Sequence, residues 1–141
     1  MDGEVNIAGR HLLLAEDNEL NAEIARTLLE DEGAITTIVN DGQQAVDIFS
    51  RNKPGTFDAI LMDIMMPEMD GLSATKAIRA LDREDAKTIP IIAMTANAFD
   101  EDEKKCMEAG MNAHLVKPLD IQKMKEAVCR YLNKQNDRQG D

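Results

Sequence analysis

At 141 residues the chain has the length of one domain and can bury most of its apolar surface without staples. Its 27 acidic residues against 16 Lys and Arg leave a formal net charge of -11, which excludes a surface that holds nucleic acid or anionic lipid by its own charge. No apolar run approaches a membrane span and no signal peptide leads the chain. We therefore expect a cytoplasmic protein without membrane insertion, with Cys106 and Cys129 reduced, and two His with two Cys form no zinc spacing.

Residues 1–9 are polar and form a flexible lead-in. HLLLAED (11–17) is an apolar run stopped by two acids, which predicts a buried strand. NELNAEIARTLLEDEG (18–33) has an Asn N-cap, Leu20, Ile24 and Leu28 at spacing four, and a closing Gly33, which predicts a helix. AITTIVN (34–40) is β-branched and strand-like. DGQQAVDIFSRN (41–52) places Ala45, Val46, Ile48 and Phe49 on one helical face and ends at Lys53-Pro54-Gly55. FDAILMD (57–63) is the third strand, LSATKAIRAL (72–81) a helix with Ala74, Ile78 and Leu81 on one side, and DREDAKT (82–88) a charged loop. IPIIAMTA (89–96) is the fourth strand, with Pro90 near its start, where a missing N–H costs least. DEDEKKCMEAG (100–110) is a fourth helix, acidic in its first turn and closed by Gly110. AHLVKP (113–118) is the fifth strand. DIQKMKEAVCRYL (120–132) is the fifth helix, capped by Asp120, with Ile121, Met124, Val128 and Leu132 as its buried stripe. Residues 133–141 have nothing to bury and form a flexible tail.

Strand and helix alternate five times, and the strands are continuously apolar. That pattern predicts an α/β fold: a doubly wound five-stranded parallel sheet with five helices on its two faces, occupying residues 10–132.

Ligands of such a sheet sit beyond the carboxyl ends of its strands. The first strand ends in Glu16-Asp17, the third in Asp63, the fourth in Thr95 and the fifth in Lys117-Pro118, while the second ends in the turn Asn40-Asp41-Gly42. Three carboxylates, a hydroxyl and an ammonium thus converge on one edge. Any one of them is an ordinary solvated strand end; all of them together are not. Carboxylates so close repel, so one should hold a raised pKa, and a hard divalent cation would relieve the repulsion. Mg²⁺ suits the set, with Mn²⁺ as a substitute, and the loop Met65-Met66-Pro67 offers a backbone carbonyl to it. An ordinary carboxylate is ionised at neutral pH, so Asp63 could attack a phosphoryl group without a separate base. Lys117 and Thr95 would then hold the product's oxygens.

The segments LLLAEDN, ILMDIMMPEMDG, IIAMTANA and HLVKP, in this order over residues 11–118, resemble the receiver domain of two-component response regulators, the CheY-like, flavodoxin-like fold. The resemblance implies strand order 2-1-3-4-5 and a phosphoacceptor Asp63 supplied by the phosphohistidine of a histidine kinase or a histidine-phosphotransfer domain. It implies Mg²⁺ held by Glu16, Asp17, Asp63 and the Met65 carbonyl, phosphate sensing by Thr95 and Lys117, and a cis Lys117–Pro118 bond. It places the output partner on the face of the fourth helix, fifth strand and fifth helix. It also implies a signalling switch rather than an enzyme, catalysing only its own phosphorylation and dephosphorylation. AEDNELN and MTANAF are more similar to receivers attached to hybrid histidine kinases than to chemotaxis regulators.

The chain departs from the family pattern at particular residues. The acidic pair is Glu-Asp rather than Asp-Asp, which lengthens one arm. His114 stands where the family places a switch aromatic, and is expected to face the surface. Met65 and Asn97 occupy the positions that tune phosphate lifetime. The alternative reading is a pseudo-receiver, an interaction module that is not phosphorylated, against which the intact set of acids, Thr95 and Lys117 speaks. Small α/β enzymes are disfavoured because EDNELN holds no glycine for a phosphate loop and GLSAT no nucleophile elbow. DIMMPEMDG lacks the acids of an EF-hand.

Overall fold

The computed structural model describes residues 6–66, 68–95, 100–117 and 119–139. In chain order these residues form β1 (His11–Ala15), α1 (Glu19–Asp31), β2 (Ile35–Val39), α2 (Gly42–Arg51), β3 (Ala59–Asp63), α3 (Gly71–Arg79), α4 (Glu84–Thr88), β4 (Ile91–Thr95), α5 (Asp100–Ala109), β5 (Ala113–Val116) and α6 (Ile121–Gln139). The strands make one parallel sheet in the order β2-β1-β3-β4-β5. After β1 the chain adds β2 on one side and then β3 on the other. The winding direction reverses there, and this opens a crevice at the carboxyl ends of β1 and β3.

Strand alternation divides the core between the two faces. Leu13, Ala15, Ile60, Met62, Ile91 and Ala93 pack with Ala45 and Phe49 of α2, Ala74 and Ile78 of α3, and Cys106 of α5. Leu12, Leu14, Ala59, Leu61, Ile92 and Met94 pack with Ala25 and Leu29 of α1 and with Met124 and Val128 of α6. Both sets are apolar, which is why the strand sequences show no polar alternation. Both cysteines are buried and neither is in a disulfide. Among the described residues no helix is long and apolar enough to cross a membrane.

Two expectations are corrected, and the buried face of α1 is fixed. The segment 82–88 is not wholly a loop: α4 is a sixth helix. Arg83 forks onto the Asp85 carboxylate at 2.7 and 3.0 Å and lies 4.6 Å over the Phe49 ring, while Ala86 is buried. One buried alanine and a local ion pair sustain this short helix, too short for periodicity to reveal. In α1 the buried positions are Ala22, Ala25 and Leu29, and Leu20 and Ile24 are 69% and 49% exposed. The alanines bring α1 close against the sheet and turn the spacing-four stripe outward. At the ends of the chain, Ile7 is fully buried and the Gly9 amide donates to the Gly33 carbonyl, so the lead-in belongs partly to the core. The backbone of α6 continues past Leu132 to Gln139.

The packing of α1 is testable in urea. Leu29→Ala should destabilise the domain by about 2–5 kcal/mol, and Leu20→Ala should stay within about 0.5 kcal/mol.

Candidate functional site

Register brings the polar residues together. Ala15 lies opposite Met62, so Glu16 and Asp63 leave neighbouring strands side by side. Asp63 lies opposite Met94, which puts Thr95 one residue further on, and Thr95 lies opposite Val116, which puts Lys117 next. The Lys117 amide donates to the Thr95 carbonyl at 2.8 Å and fixes that last step.

The loop after Asp63 is held by close backbone packing. A Cβ on Gly71 would lie 2.3 Å from the Asp63 carbonyl oxygen, and one on Gly42 would lie 2.3 Å from the Met69 carbonyl oxygen. Only glycine lets the start of α3 sit directly against the strand end that carries Asp63. Asp70 caps α3 by accepting from the Ser73 amide at 2.7 Å, which accounts for the Asp-Gly pair. The Met65 amide donates to Asp63 Oδ1 at 3.2 Å.

Lys117 Nζ donates to Glu16 Oε1 at 2.8 Å and to Asp63 Oδ2 at 3.1 Å. The longer arm of Glu16 folds back, and its Oε2 accepts from the Asn18 amide at 3.1 Å. Glu16, Asp63 and Thr95 are buried, and Asp17 is exposed. Burial, followed by the neighbouring Asp63, raises the Glu16 carboxyl above its ordinary range, against the opposing hydrogen bonds from Lys117 and Asn18. The raised acid anticipated from repulsion is therefore Glu16, and desolvation is its leading cause. Burial alone would push Lys117 down, but its hydrogen bonds to Glu16 and Asp63 and their charges outweigh this and raise it.

Glu16, Asp17 and Asp63 offer oxygen atoms that all lie within 4.8 Å of one another. Three hard carboxylate donors with no soft ligand suit Mg²⁺ or Mn²⁺ rather than a thiophilic metal. The residues open onto a cleft of about 350 Å³ that Met65, Thr95 and Lys117 also line, together with Asn18, Asn21, Leu72, Met94 and Lys105.

The structure thus brings together Glu16, Asp17, Asp63, Met65, Thr95 and Lys117. His114 lies elsewhere, and its expected surface-facing placement is corrected: its side chain is 19% exposed and its Nδ1 sits 3.3 Å from Glu103 Oε2 of α5. It lines a separate groove with Lys123, Glu126 and Arg130 of α6. Asn97 and Pro118, and with Pro118 the expected cis bond, lie outside the described residues. Sequence reasoning missed Asn18, Asn21 and Lys105 as cleft residues. Asn18 and Asn21 were legible only as a helix start, and Lys105 belongs to a helix whose orientation no local pattern gives.

With a chelator present, Asp63→Asn should raise the melting temperature by a few degrees, the scale on which about 1 kcal/mol reads in a domain of this size. Most of that gain should vanish in Mg²⁺. Because Glu16 binds its proton more tightly folded than unfolded, wild-type stability in chelator should fall as pH rises through the raised Glu16 range. The mutant's pH profile should be flatter. A lower melting temperature for Asp63→Asn in chelator would contradict the repulsive cluster.

A family model for the response regulator receiver domain matches residues 12–129. The chain is 39% identical to hybrid signal transduction histidine kinase I of Dictyostelium discoideum, over 92% of this chain and 8% of that protein. It is 38% identical to histidine kinase 1 of Arabidopsis thaliana, over 91% of this chain and 13% of that protein. It therefore spans only a small part of the length of these relatives. Among solved structures, the receiver domain of sensor histidine kinase PA1611 from Pseudomonas aeruginosa, with a magnesium ion coordinated in its active-site cleft, superposes with a TM-score of 0.79 at 41% identity, covering 89% of this chain and 99% of that one. The chain belongs to this family: it is a CheY-like receiver domain of two-component and phosphorelay signalling, with an acidic pocket at the carboxyl edge of its sheet that could hold a metal ion.

Proposed function

We propose that the domain is a phosphoacceptor switch in which Asp63 takes a phosphoryl group from the phosphohistidine of a histidine kinase or histidine-phosphotransfer domain. The observation that supports this most is the placement of Asp63: a buried carboxylate on a rigid strand end, opening onto a cleft and gripped by Lys117. One Asp63 oxygen attacks phosphorus and the P–N bond of the donor breaks. The electron pair returns to the imidazole nitrogen, which takes a proton from water, and an acyl phosphate remains on Asp63. Lys117 then exchanges one carboxylate contact for a phosphoryl oxygen, and the Thr95 hydroxyl donates to another. Glu16, Asp17, Asp63 and the Met65 carbonyl would hold a Mg²⁺ ion, or Mn²⁺ in its place, which would supply charge neutralisation for the phosphoryl oxygens. The domain catalyses this transfer and the later hydrolysis only on itself. A cytoplasmic location, with or without tethering to a membrane kinase, goes with this role.

The donor has to approach the rim of the cleft. Met65 lines it and Ile24 lines an adjoining pocket shared by Glu16 and Lys117, 77% and 49% exposed, and Leu20, 69% exposed, lies one turn before Ile24 on the same face of α1, so an apolar donor surface would cover all three. The output lies on the far side of Thr95, on α5, β5 and α6, where the Glu103–His114 pair joins α5 to β5. In this reading that pair takes the place of the family's aromatic switch, and phosphorylation shifts the population of α5 positions.

Incubation with acetyl phosphate and Mg²⁺ should add one phosphoryl group to the intact mass, and Asp63→Asn or chelator should abolish the gain. Failure of both acetyl phosphate and a phosphohistidine donor would favour the pseudo-receiver. Leu20→Asp combined with Ile24→Asp should slow transfer from a phosphohistidine protein about tenfold or more while leaving labelling by acetyl phosphate near wild type. Equal loss with both donors would contradict the docking site.

A further inference from the structure

A second lysine faces the cleft. Lys105 of α5 lines it beside Asp63, Thr95 and Lys117, over an apolar floor of Leu72 and Met94. Its neighbours fix its direction. Cys106 is buried in the core, and Glu103 points to β5, where it meets His114. Two residues along an α-helix turn the side chain by about 200°, so Lys105 projects from the side of α5 opposite β5. The end of α5 is anchored: Arg79 of α3 donates from Nε and Nη2 to the Gly110 carbonyl at 3.0 and 2.8 Å and from Nη1 to the Ala86 carbonyl at 3.1 Å. Among the described residues Lys105 has no ion-pair partner, whereas Lys117 is already bonded to Glu16 and Asp63.

Charge gives Lys105 a task. Glu16, Asp17 and Asp63 carry three negative charges against the single positive charge of Lys117. Transfer replaces the Asp63 charge with a phosphoryl group of about -1.5 to -2, so the product is more anionic than the site that accepted it. Lys117 cannot serve Glu16 and every phosphoryl oxygen together. The exposed Lys105 ammonium, with no ion-pair partner among the described residues, lines the cleft and is placed to take the remainder through an attraction that salt screens.

We propose that Lys105 is a second cationic group for the phosphoryl oxygens, drawing the anionic donor into the cleft and retaining the product beside Lys117. This rests on the phosphoacceptor reading of Asp63. It differs from the ordinary role of a helix lysine, which is to solvate the surface. Lys104, the next residue on the same helix, is exposed like Lys105 but absent from the cleft lining, and so serves as the control.

The test compares wild type, Lys105→Gln, Lys105→Arg and Lys104→Gln as full chains in Mg²⁺. Two readouts are taken at low and high salt: the rate of labelling by acetyl phosphate from intact mass, and the affinity for beryllium trifluoride, a phosphoryl mimic, from amide NMR titration. Lys105→Gln should lower both by about three- to tenfold at low salt, with the difference shrinking at high salt. Lys105→Arg should keep most of each, and Lys104→Gln should match wild type. Wild-type rate and affinity in Lys105→Gln would overturn the inference and leave Asp63 labelling intact. Equal losses in Lys104→Gln would also overturn it, assigning the effect to general surface charge. A wild-type chain that neither becomes labelled nor binds beryllium trifluoride would sink the phosphoacceptor reading and this inference with it.

Discussion

The structure is organised around the repulsion of carboxylates held at adjacent strand ends. Glu16 and Asp63 are buried side by side, Asp17 stands next to them, and one ammonium, Lys117, is shared between the first two. Buried charge of one sign is costly unless it is paired. The sheet supplies the rigidity that prevents the acids from moving apart. The closeness of their oxygens is enforced by register and by the packing of α3 against the Asp63 backbone, where Gly71 leaves no room for a side chain.

That constraint links fold to function. A site with surplus negative charge favours whatever brings positive charge, and cation binding does so. The strands that supply Thr95 and Lys117 lie on the same side of β3, toward the sheet edge formed by β5. Lys117, just after β5, bonds Asp63 directly, so the site and that edge of the sheet are joined by a side-chain contact. The half-buried Arg79 ties α3 to the end of α5 through the Gly110 carbonyl, and Glu103 ties α5 to His114. The helix next to the site is thus held at one end by a guanidinium and along its side by an ion pair. Burial lowers the Arg79 pKa, but the guanidinium keeps its hydrogen bonds to backbone carbonyls, which makes it a structural tie.

Much of this was legible from residue order because the central strands β1, β3 and β4 are buried on both faces and stop at polar residues. The end of an apolar run marked Glu16, Asp63, Thr95 and Lys117 without knowledge of the register, and the parallel topology then placed them on one edge. What was not legible depended on orientation. In α1 the leucine and isoleucine spacing marked a helix but not its inward face, because Ala22 and Ala25 pack inward and carry little hydrophobic signal of their own. The α4 helix is held by Arg83, Asp85 and a distant Phe49, a combination that leaves no periodicity. His114 finds Glu103 across an element boundary, and Lys105 reaches the cleft only because α5 packs along α3. Pairings between elements are written in tertiary geometry, and a chain read alone does not show them.

The account turns on Asp63 as the acceptor, and reductive trapping tests it most directly. Borohydride reduces an acyl phosphate to the alcohol, converting a phosphorylated aspartate to homoserine. After transfer from a phosphohistidine donor, peptide mapping should find homoserine at position 63 and unchanged acids at Glu16 and Asp17. Homoserine at position 17, the corresponding alcohol at position 16, or no reduced residue in a chain that had gained a phosphoryl group would contradict it.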